Sequence, residues 1–457
     1  MKLWEIIRQK ILKNPTQMIK KDNEELSYSE VIQYVEIFAK KIKNEKCCAI
    51  YCKSEMLTAL ILLSCFAAEV TAVPLAVRYG EKYCEKILRK ISPSCIITDL
   101  CGGLNVYHIS DYEYVKPDNA PALIMFTSGT SGEPKGIMLS EKNIVSNIDD
   151  ISDYIDIDQT DSILISRSLY HVAVLTGEFL LALTKGSKIV FCDDTFNPQK
   201  ILEQIVQNKI TTYCGTPTTM NILAHYSFKC QFNIPLKHIV ISGECMSKAT
   251  GMKIIHAFPK ASIYHSYGLT EASPRVCYLP SEYFETAPDC VGIPLKTVNV
   301  EIRNSVGEIV PTGTVGTLWV KGPNTMLGYY NDPLGTQSVL IDGWLCTGDM
   351  AVVKPNGFIK ILGRADDMII RSGMNIYPAE IESNLKNDPR VTDVLVYGTT
   401  DTQMGCNINM EIVGDFCNVN EVKQLCIELL PPHQVPNRIK LFSELPKTGT
   451  GKIIRGK

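Results

Sequence analysis

The sequence lacks several features that define large classes of proteins. Its net charge is only −3, from 46 Lys and Arg against 49 Asp and Glu, so its composition is not that of a basic nucleic-acid-binding protein. The 17 cysteines are an odd number, and they form neither a Cys-x-x-Cys pair nor a run typical of a structural zinc site. This pattern indicates reduced thiols in a cytoplasmic protein and not a disulfide framework.

Long apolar runs are also missing. The most apolar segment, 56–77, is interrupted by Thr58, Ser64 and Glu69 and has Pro74 near its end, whereas a membrane span needs about 20 apolar residues in a row. We interpret this segment as a buried helix followed by a strand. The amino terminus mixes charged with apolar residues, which favours an amphipathic helix over a secretory signal. The sequence therefore predicts a soluble cytoplasmic protein without a membrane span.

What is present is typical of a large globular protein. The chain has 457 residues, of which 45% are apolar and 21% charged, and at roughly 150 residues per unit this length suggests about three folding units. Between residues 120 and 265, short apolar runs alternate with helical stretches. Fully apolar strands separated by helices are typical of an α/β fold with buried, largely parallel sheets.

The pattern changes twice towards the carboxyl terminus. After about residue 290, Gly and Pro separate short segments typical of antiparallel strands, which we interpret as a small β-barrel-like part. Beyond residue 364 follows a compact α+β stretch. We therefore predict an α/β protein with a large N-terminal domain of stacked αβ subdomains at 1–364 and a small α+β C-terminal domain at 365–457.

The strongest motif is FTSGTSGEPKG at residues 126–136, where three glycines and four hydroxyl residues follow an apolar strand. Glycine lets backbone amides approach phosphate oxygens, hydroxyls donate further hydrogen bonds, and Lys135 adds a positive charge. The motif is not a Walker P-loop, because Pro134 and Gly136 replace the glycine and the hydroxyl residue that flank the lysine there. Taken alone, such a loop is also compatible with a polar surface turn.

Five further motifs follow in order along the chain. Together with FTSGTSGEPKG they resemble the signatures of the adenylate-forming superfamily, which includes acyl-CoA synthetases, adenylation domains of peptide synthetases and beetle luciferases. One such motif can arise by chance, whereas six in order point to the family. The resemblance covers nearly the whole chain from residue 27. The five motifs are YGLTE at 267–271, TGD at 347–349, GRADD at 363–367, IYPAEIE at 376–382 and PKTGTGK at 446–452.

The resemblance implies a site for ATP and Mg²⁺. Tyr267 would stack on adenine, Thr270 would contact the α-phosphate, and Glu271 would hold Mg²⁺, which prefers hard oxygen ligands. Asp349 would bind the ribose hydroxyls, and Arg364 the ribose and phosphate side. Each residue alone has a simpler explanation as a core, turn or surface residue. The implied nucleotide-binding residues are Thr127, Ser128, Gly129, Thr130, Ser131, Gly132, Lys135, Gly243, Glu244, Cys245, Tyr267, Gly268, Thr270, Asp349 and Arg364.

The resemblance also implies residues for the two half-reactions. Lys452 would touch the substrate carboxylate and the α-phosphate, where its charge offsets the charge that grows on the phosphoryl oxygens. Asp366 matches a hinge position, so the small domain would be mobile about residues 364–367. Gly373 matches a glycine that lets a pantetheine arm pass. The implied catalytic residues are Lys452, His171, Thr270 and Glu271.

His171 is the best indication of the substrate in the sequence. Its position resembles that of a histidine at the junction of acyl pocket and nucleotide in many acyl-CoA and aryl-CoA ligases, although a lone histidine is more often a core residue. No acidic residue occurs between Arg167 and Gly177, and a buried ammonium without a partner is costly. An acid without an α-amino group is therefore favoured. The expected acyl-pocket residues are His171, Val172, Val174, Leu175, Thr216, Ser242, Ser273 and Pro274.

Two departures from the family pattern leave the thiol acceptor open. Ile370 stands where luciferase-like members often have lysine, and Cys406 stands where Gly-Glu is common. We predict a ligase that adenylates a carboxylic acid and transfers the acyl group to a thiol, with coenzyme A favoured. The alternative acceptor is the phosphopantetheine of a separate carrier protein. A degenerate nucleotide-binding protein without turnover is the alternative from another class, and the intact motifs argue against it.

Overall fold

A computed structural model describes most of the chain. Its largest element is a mostly parallel sheet, which has nine strands among the described residues, and the six in its middle run parallel to one another. Strands Ser162–Ile165 and Thr212–Gly215 are buried at every position, which explains why they carry no charged residue. The described residues are 2–100, 103–110, 114, 117, 120–128, 133–192, 196–230, 233–371, 374–401, 405–446 and 453. From edge to edge the strands are Ile293–Pro294, Arg275–Leu279, Ser262–Gly268, His238–Ser242, Thr212–Gly215, Ser162–Ile165, Lys188–Phe191, Met18–Lys21 and Glu24–Ser27.

A second sheet carries the strands that flank the Gly-rich loop. It has seven strands within the described ranges, with parallel pairing at its centre and antiparallel pairing towards both edges. The apolar segment 56–77 forms helix Glu55–Ala68 and strand Thr71–Pro74, which confirms its prediction as a buried helix and a strand. The strands in order are Gly328–Tyr329, Pro134–Leu139, Leu123–Ser128, Thr71–Pro74, Cys47–Tyr51, Cys95–Thr98 and Asn105–His108.

The Gly-rich and Pro-rich region after residue 290 forms a third sheet. All its strand pairs are antiparallel, as the punctuated sequence predicted. Strand Trp344–Val353 lies at its centre and pairs with three neighbours. The strands are Asn299–Arg303, Val315–Lys321, Leu340–Ile341, Trp344–Val353 and Ile359–Arg364.

The C-terminal residues form a hydrophobic cluster of their own. In the described part of the chain it is built from buried side chains between Ile369 and Leu430. This arrangement confirms a large N-terminal region and a small α+β C-terminal region. The boundary at residue 364 remains a prediction. The strands of this part are Ile369–Arg371, Met374–Ile376, Val391–Asp401, Gly405–Gly414 and Arg438–Leu441.

The helices begin and end largely where the sequence predicts. Asn197 caps the helix that starts at Pro198 by accepting a hydrogen bond from the Lys200 amide at 3.1 Å, and Gly186 ends another helix with φ +74°. The helical segment before Gly186 is not regular, because Leu175–Leu180 is a π-helix and only Leu181–Lys185 is an α-helix. No helix in the described residues combines the length and the apolarity that a membrane crossing requires. The α-helices are Leu3–Ile11, Tyr28–Ile42, Glu55–Ala68, Glu81–Ile91, Glu141–Tyr154, Val172–Val174, Leu181–Lys185, Pro198–Gln207, Pro217–Cys230, Lys248–Ala257, Pro333–Val339, Pro378–Leu385 and Val419–Leu429, and the 3₁₀ turns are Val77–Tyr79, Thr270–Ala272, Ser281–Tyr283 and Pro432–Gln434.

Candidate active site

The YGLTE, TGD and GRADD motifs meet at one carboxylate. The Tyr267 hydroxyl donates a 2.5 Å hydrogen bond to Oδ2 of Asp349. Arg364 lies opposite Asp349 on the neighbouring antiparallel strand, with Nη1 3.4 Å from Oδ1 and 2.8 Å from the carbonyl oxygen of Thr347. Burial and the charge of Asp349 hold the pKa of Tyr267 well above its ordinary value. The tyrosine is therefore a neutral donor to an ionised carboxylate.

Two glycines allow Tyr267 and Asp349 to approach each other. At Gly268 a Cβ atom would lie 2.1 Å from the carbonyl oxygen of Pro274, so no other residue fits without a backbone shift. The pairing register of the strand shifts between Tyr267 and Gly268, which turns the chain at the point where the aromatic ring is presented. Gly348 has φ +70°, a conformation that favours glycine and that aims the next residue, Asp349, at the tyrosine.

Glu271 belongs to a second group of contacts, in which one member is absent from the sequence prediction. Its Oε1 accepts a 3.0 Å hydrogen bond from the hydroxyl of Tyr329, and Nζ of Lys135 lies 5.2 Å from the centre of the Tyr329 ring. Lys135 is the cross-strand partner of Thr127 at the end of the Gly-rich loop. Burial and the charge of Glu271 raise the pKa of Tyr329. Tyr329 lies in a Gly-Tyr-Tyr segment that carries no signal of function.

Residues 243–245 follow directly after a parallel strand of the large sheet. Gly243 has φ +97°, and the Glu244 carboxylate accepts hydrogen bonds from the Thr218 amide at 3.2 Å and hydroxyl at 2.7 Å. Cys245 Sγ lies 3.7 Å from the carbonyl oxygen of Ile361. Burial, with the charge of Asp349, raises the pKa of Cys245 to about 12, so this thiol stays protonated and acts as a small packing residue.

His171 lies beside the strand that leads into the Gly-rich loop. It precedes the short helix Val172–Val174, and its ring packs edge-on against Tyr170, with ring centres 5.1 Å apart. The Tyr170 hydroxyl donates a 2.5 Å hydrogen bond to the carbonyl oxygen of Phe126. Because Phe126 belongs to the FTSGTSGEPKG motif, this contact ties the His171 loop to the predicted phosphate site.

The other predicted acyl-pocket residues are buried, but they differ in what they contact. Val172, Val174 and Leu175 continue from His171 into the π-helix. Thr216 and Ser242 lie at the carboxyl ends of neighbouring parallel strands, where α/β proteins bind ligands. The remaining two make contacts of their own. The Ser273 hydroxyl donates to the carbonyl oxygen of Asn324 at 2.8 Å, and the Pro274 carbonyl accepts from the Leu269 amide at 2.9 Å.

A buried ionic group lies next to these residues, and it was not predicted from the sequence. Arg167 donates from Nη2 to Oε1 of Glu178, which is fully buried, and the side chain of Arg275 is 1% exposed. Burial lowers the pKa of Arg167, and the charge of Glu178 outweighs this effect and raises it. A motif search does not find such a group, because its three members are scattered from 167 to 275.

The remaining residues that the sequence predicted for the site lie outside the groups of contacts described above. Asp366 follows the third sheet, and its Oδ2 lies 3.7 Å from Nη2 of Arg364. Thr270 begins the turn that carries Glu271, and for Ser128 only the backbone is described. The predictions for six residues lie outside the described residues: Gly129, Thr130, Ser131, Gly132, Gly373 and Lys452.

The Glu271 carboxylate is suited to coordinate a metal ion that binds together with a phosphate-containing substrate. Among the described residues, no three His, Cys, Asp or Glu side chains gather into a group that could hold a metal ion. Mg²⁺ commonly takes only one or two carboxylates from the protein and completes its shell with phosphate oxygens and water. The single carboxylate of Glu271, oriented by Tyr329, fits this requirement.

The fold and this site define a nucleotide-binding enzyme with a large α/β region and a small C-terminal region. Residues 10–330 match the family of AMP-binding enzymes, and residues 380–452 match the AMP-binding enzyme C-terminal domain. The chain belongs to this adenylate-forming family. The resemblance that six sequence motifs indicated is therefore confirmed.

Similar proteins include a CoA synthase and a CoA ligase. The chain is 31% identical over 339 residues to a feruloyl-CoA synthase from an Amycolatopsis species, which covers 73% of this chain and 68% of that protein. It is 29% identical over 405 residues to a long-chain-fatty-acid–CoA ligase from Yersinia pestis, covering 85% and 69% of the two chains.

Solved structures confirm the predicted fold class. The o-succinylbenzoate CoA synthetase from Bacillus subtilis, in complex with an acyl-adenylate intermediate, superimposes with a TM-score of 0.86 at 22% identity over 99% of this chain and 97% of that one. An anthranilate CoA ligase in complex with anthranoyl-AMP gives a TM-score of 0.88 at 19% identity over 99% and 95%. Both similarities extend through the large and the small regions.

Proposed function

We propose that the protein is an ATP-dependent acid–thiol ligase that works in two steps. A carboxylate attacks the α-phosphate of Mg·ATP and gives acyl-AMP and pyrophosphate. A thiol then attacks the acyl carbon, forms a thioester and releases AMP. The observation that carries the proposal is the meeting of Tyr267, Asp349 and Arg364, three residues from separate motifs, around one ionised carboxylate. The names of the relatives support the same reaction.

The geometry at Asp349 suits a nucleoside. The hydrogen bond from Tyr267 holds the aromatic ring and the carboxylate next to each other, so a base that stacks on the ring brings its ribose hydroxyls towards Asp349. Two vicinal hydroxyls match the two oxygens of one carboxylate. Arg364 holds the carboxylate from the other side. We therefore assign adenine to Tyr267 and ribose to Asp349.

The phosphates then extend towards Glu271 and the Gly-rich loop. Glu271 would hold Mg²⁺, and the ion would neutralise charge on the phosphate oxygens of ATP. Lys135 adds a positive charge at the end of the loop, and Thr270 lies at the α-phosphate. Lys452 orients the attacking carboxylate and stabilises the charge that develops during the transfer.

The second step requires Lys452 to withdraw and a thiol to enter. Arg364 connects the two functions, because its guanidinium lies between Asp349 of the nucleotide site and Asp366 of the hinge. Rotation of 365–457 about Asp366 exchanges Lys452 for the passage at Gly373. Domain rotation of this kind changes the backbone dihedrals of only a few residues.

Coenzyme A is the proposed acceptor, and the acid lacks an α-amino group. Glu178, the first acidic residue after His171 in the sequence, is paired with Arg167 through Oε1, which makes it a poor partner for a substrate ammonium. The relatives named above are CoA ligases or synthases. A separate carrier protein as acceptor is the second candidate.

A panel of carboxylic acids, read by pyrophosphate release from ATP, tests the first step. We expect release with a subset of acids, abolished in Asp349→Ala and retained in a surface control such as Lys440→Ala. Thioester formation with coenzyme A and with a phosphopantetheinylated carrier protein then separates the two acceptors. If pyrophosphate is released with no acid across a broad panel, the protein binds nucleotide without turnover and the proposal is wrong.

A further inference from the structure

The ionic group at Arg167, Glu178 and Arg275 has an excess positive charge. One carboxylate faces two guanidinium groups, and Arg167 already forms an ion pair with Glu178. Arg275 forms no ion pair with a carboxylate in the described residues, although it is 1% exposed. A charge of this kind is strongly unfavourable in a protein interior unless an anion compensates it.

The polar atoms around Arg275 lack hydrogen-bond partners. Within the described part of the chain, Nε and Nη2 of Arg275, Oε2 of Glu178 and Oγ1 of Thr176 are buried without a partner. The Tyr154 hydroxyl lies close to Arg275, and burial raises its pKa to about 12 against the opposing charge of this arginine. Native proteins rarely leave so many buried polar atoms unpaired in one place. An anion that accepts from Nε and Nη2 of Arg275 would supply partners for these donors.

Arg275 presents the two donors that recognise a carboxylate side-on. Nε and Nη2 lie on the same edge of a guanidinium group, and together they form the parallel pair of hydrogen bonds that a carboxylate accepts. Nη2 lies close to the π-helix, since a Cβ atom added to Gly177 would be 3.4 Å from it. Glycine at 177 therefore places no side chain between the π-helix and this guanidinium group.

The cluster follows directly after the expected acyl-pocket residues along the chain. The chain runs from His171, beside the phosphate loop, through Val172 and Leu175 to Gly177 in one continuous helical segment. Six residues of α-helix would span about 9 Å, and this segment, part of which is a π-helix, has a length of that order. Pro274, another expected pocket residue, directly precedes Arg275. A π-helix at this point is also typical of functional sites.

We propose that the acid substrate carries a second carboxylate, distant from the reacting one, which Arg275 binds through Nε and Nη2. This inference rests on the proposed ligase function and names its substrate class: dicarboxylic acids, aliphatic or aryl, in which about 9 Å separates the two acidic groups. The second carboxylate neutralises the excess charge, and the Thr176 hydroxyl is a further donor to it. Arg167 keeps Glu178 paired and leaves Arg275 to the substrate.

Matched pairs of acids test the proposal. Straight-chain acids of six to ten carbons are compared with the dicarboxylic acids of equal length, and kcat/KM for pyrophosphate release is measured for each. We expect the wild-type enzyme to prefer the dicarboxylic acid by about 30-fold at the best length. Arg275→Met removes that preference by lowering kcat/KM for the dicarboxylic acid alone, and Arg275→Lys restores part of it. Arg89→Met, at an exposed arginine, is the control.

The melting temperature of the Arg275→Met variant distinguishes a role of Arg275 in substrate recognition from a role in the structure of the protein. Because Arg167 still pairs with Glu178, Arg275→Met is expected to keep the melting temperature and the KM for ATP of the wild-type protein. A wild-type enzyme that turns over both acids of a pair equally overturns the inference and leaves the ligase proposal intact, whether or not Arg275→Met folds. The inference is also overturned if Arg275→Met or Arg275→Lys prefers the dicarboxylic acid as strongly as the wild-type enzyme does. Failure to release pyrophosphate with any acid overturns both.

Discussion

The Tyr267 hydroxyl and the Asp349 carboxylate are joined by a 2.5 Å hydrogen bond across 82 residues of sequence. The bond links strand Ser262–Gly268 of the large sheet, which carries Tyr267, to strand Trp344–Val353 of the antiparallel sheet, which carries Asp349. It fixes an aromatic face and an ionised carboxylate at one place between two structural layers. A nucleoside needs both, since its base stacks and its sugar hydroxyls donate hydrogen bonds.

The Asp349 carboxylate should be more important for ATP binding than the hydroxyl that contacts it. Asp349→Asn removes one acceptor and the charge, and we expect the KM for ATP to rise by about 30-fold, because a hydrogen bond to a charged group contributes about 2 kcal/mol. Tyr267→Phe keeps the ring and loses only the hydroxyl, so an increase below about fivefold is expected. Initial rates of pyrophosphate release at varied ATP measure both. Equal effects of the two variants would contradict the assignment of ribose to Asp349.

Glu271 should determine the dependence on Mg²⁺. In Glu271→Gln the carboxylate becomes a neutral amide, a weaker ligand for a hard cation, and we expect kcat/KM to fall by about 100-fold and the required Mg²⁺ concentration to rise. Tyr329→Phe removes only the 3.0 Å hydrogen bond that orients the carboxylate and should have a smaller effect of the same kind. Titration of activity with Mg²⁺ checks this. An unchanged Mg²⁺ requirement in Glu271→Gln would place the ion elsewhere.

Most of the fold follows from local sequence patterns. The strands of the large sheet are short apolar runs bounded by Gly, Asn and Pro, and the structure confirms them at Ser162–Ile165, Lys188–Phe191 and His238–Ser242. Such strands are predictable because burial on both faces favours consecutive apolar residues in their interior. The π-helix Leu175–Leu180 is not predictable in this way, since its one extra residue per turn depends on tertiary contacts.

The site is predictable only where it consists of contiguous motifs. Tyr267, Glu271 and Asp349 come from short signatures that carry their own context. Tyr329 and Arg275 do not, because each obtains its role from a partner distant in sequence: Glu271 for Tyr329, and the π-helix for Arg275. A tyrosine and an arginine are unremarkable in a sequence, and only three-dimensional contact distinguishes them.

The stability of the protein should depend on acid pH through the pair of Lys360 and Asp289. Nζ of Lys360 lies 2.8 Å from Oδ2 of Asp289. Burial raises the pKa of Asp289, and the hydrogen bond and charge of Lys360 outweigh this effect, so the pKa is lowered. The stabilisation is therefore complete above the pKa of about 3.9 of an unfolded Asp and is lost as the pH falls through the folded value.

Asp289→Asn makes this contribution measurable. At pH 7 we expect the free energy of unfolding to fall by about 1 kcal/mol, with a difference from the wild type that shrinks below about pH 4. Asp153→Asn breaks an ion pair with Lys296 whose two side chains are 52% and 76% exposed, and it should have no measurable effect. Melting temperatures as a function of pH provide the comparison. A difference for Asp289→Asn that persists unchanged at acid pH would show that its cause is not the charge.

Lys452 should be needed for the first half-reaction and dispensable for the second. Its charge acts on the attacking carboxylate and on the α-phosphate while the bond between them forms, whereas in the second step this bond is already made and Lys452 has withdrawn before AMP leaves. We therefore expect Lys452→Ala to slow acyl-AMP formation by about 100-fold or more, the cost of removing one preorganised charge from a transition state. Conversion of preformed acyl-AMP to thioester should keep the wild-type rate, and Lys440→Ala should leave both rates unchanged. Equal loss of both half-reactions in Lys452→Ala would mean that this lysine supports the structure of the small domain and does not act on the adenylation step.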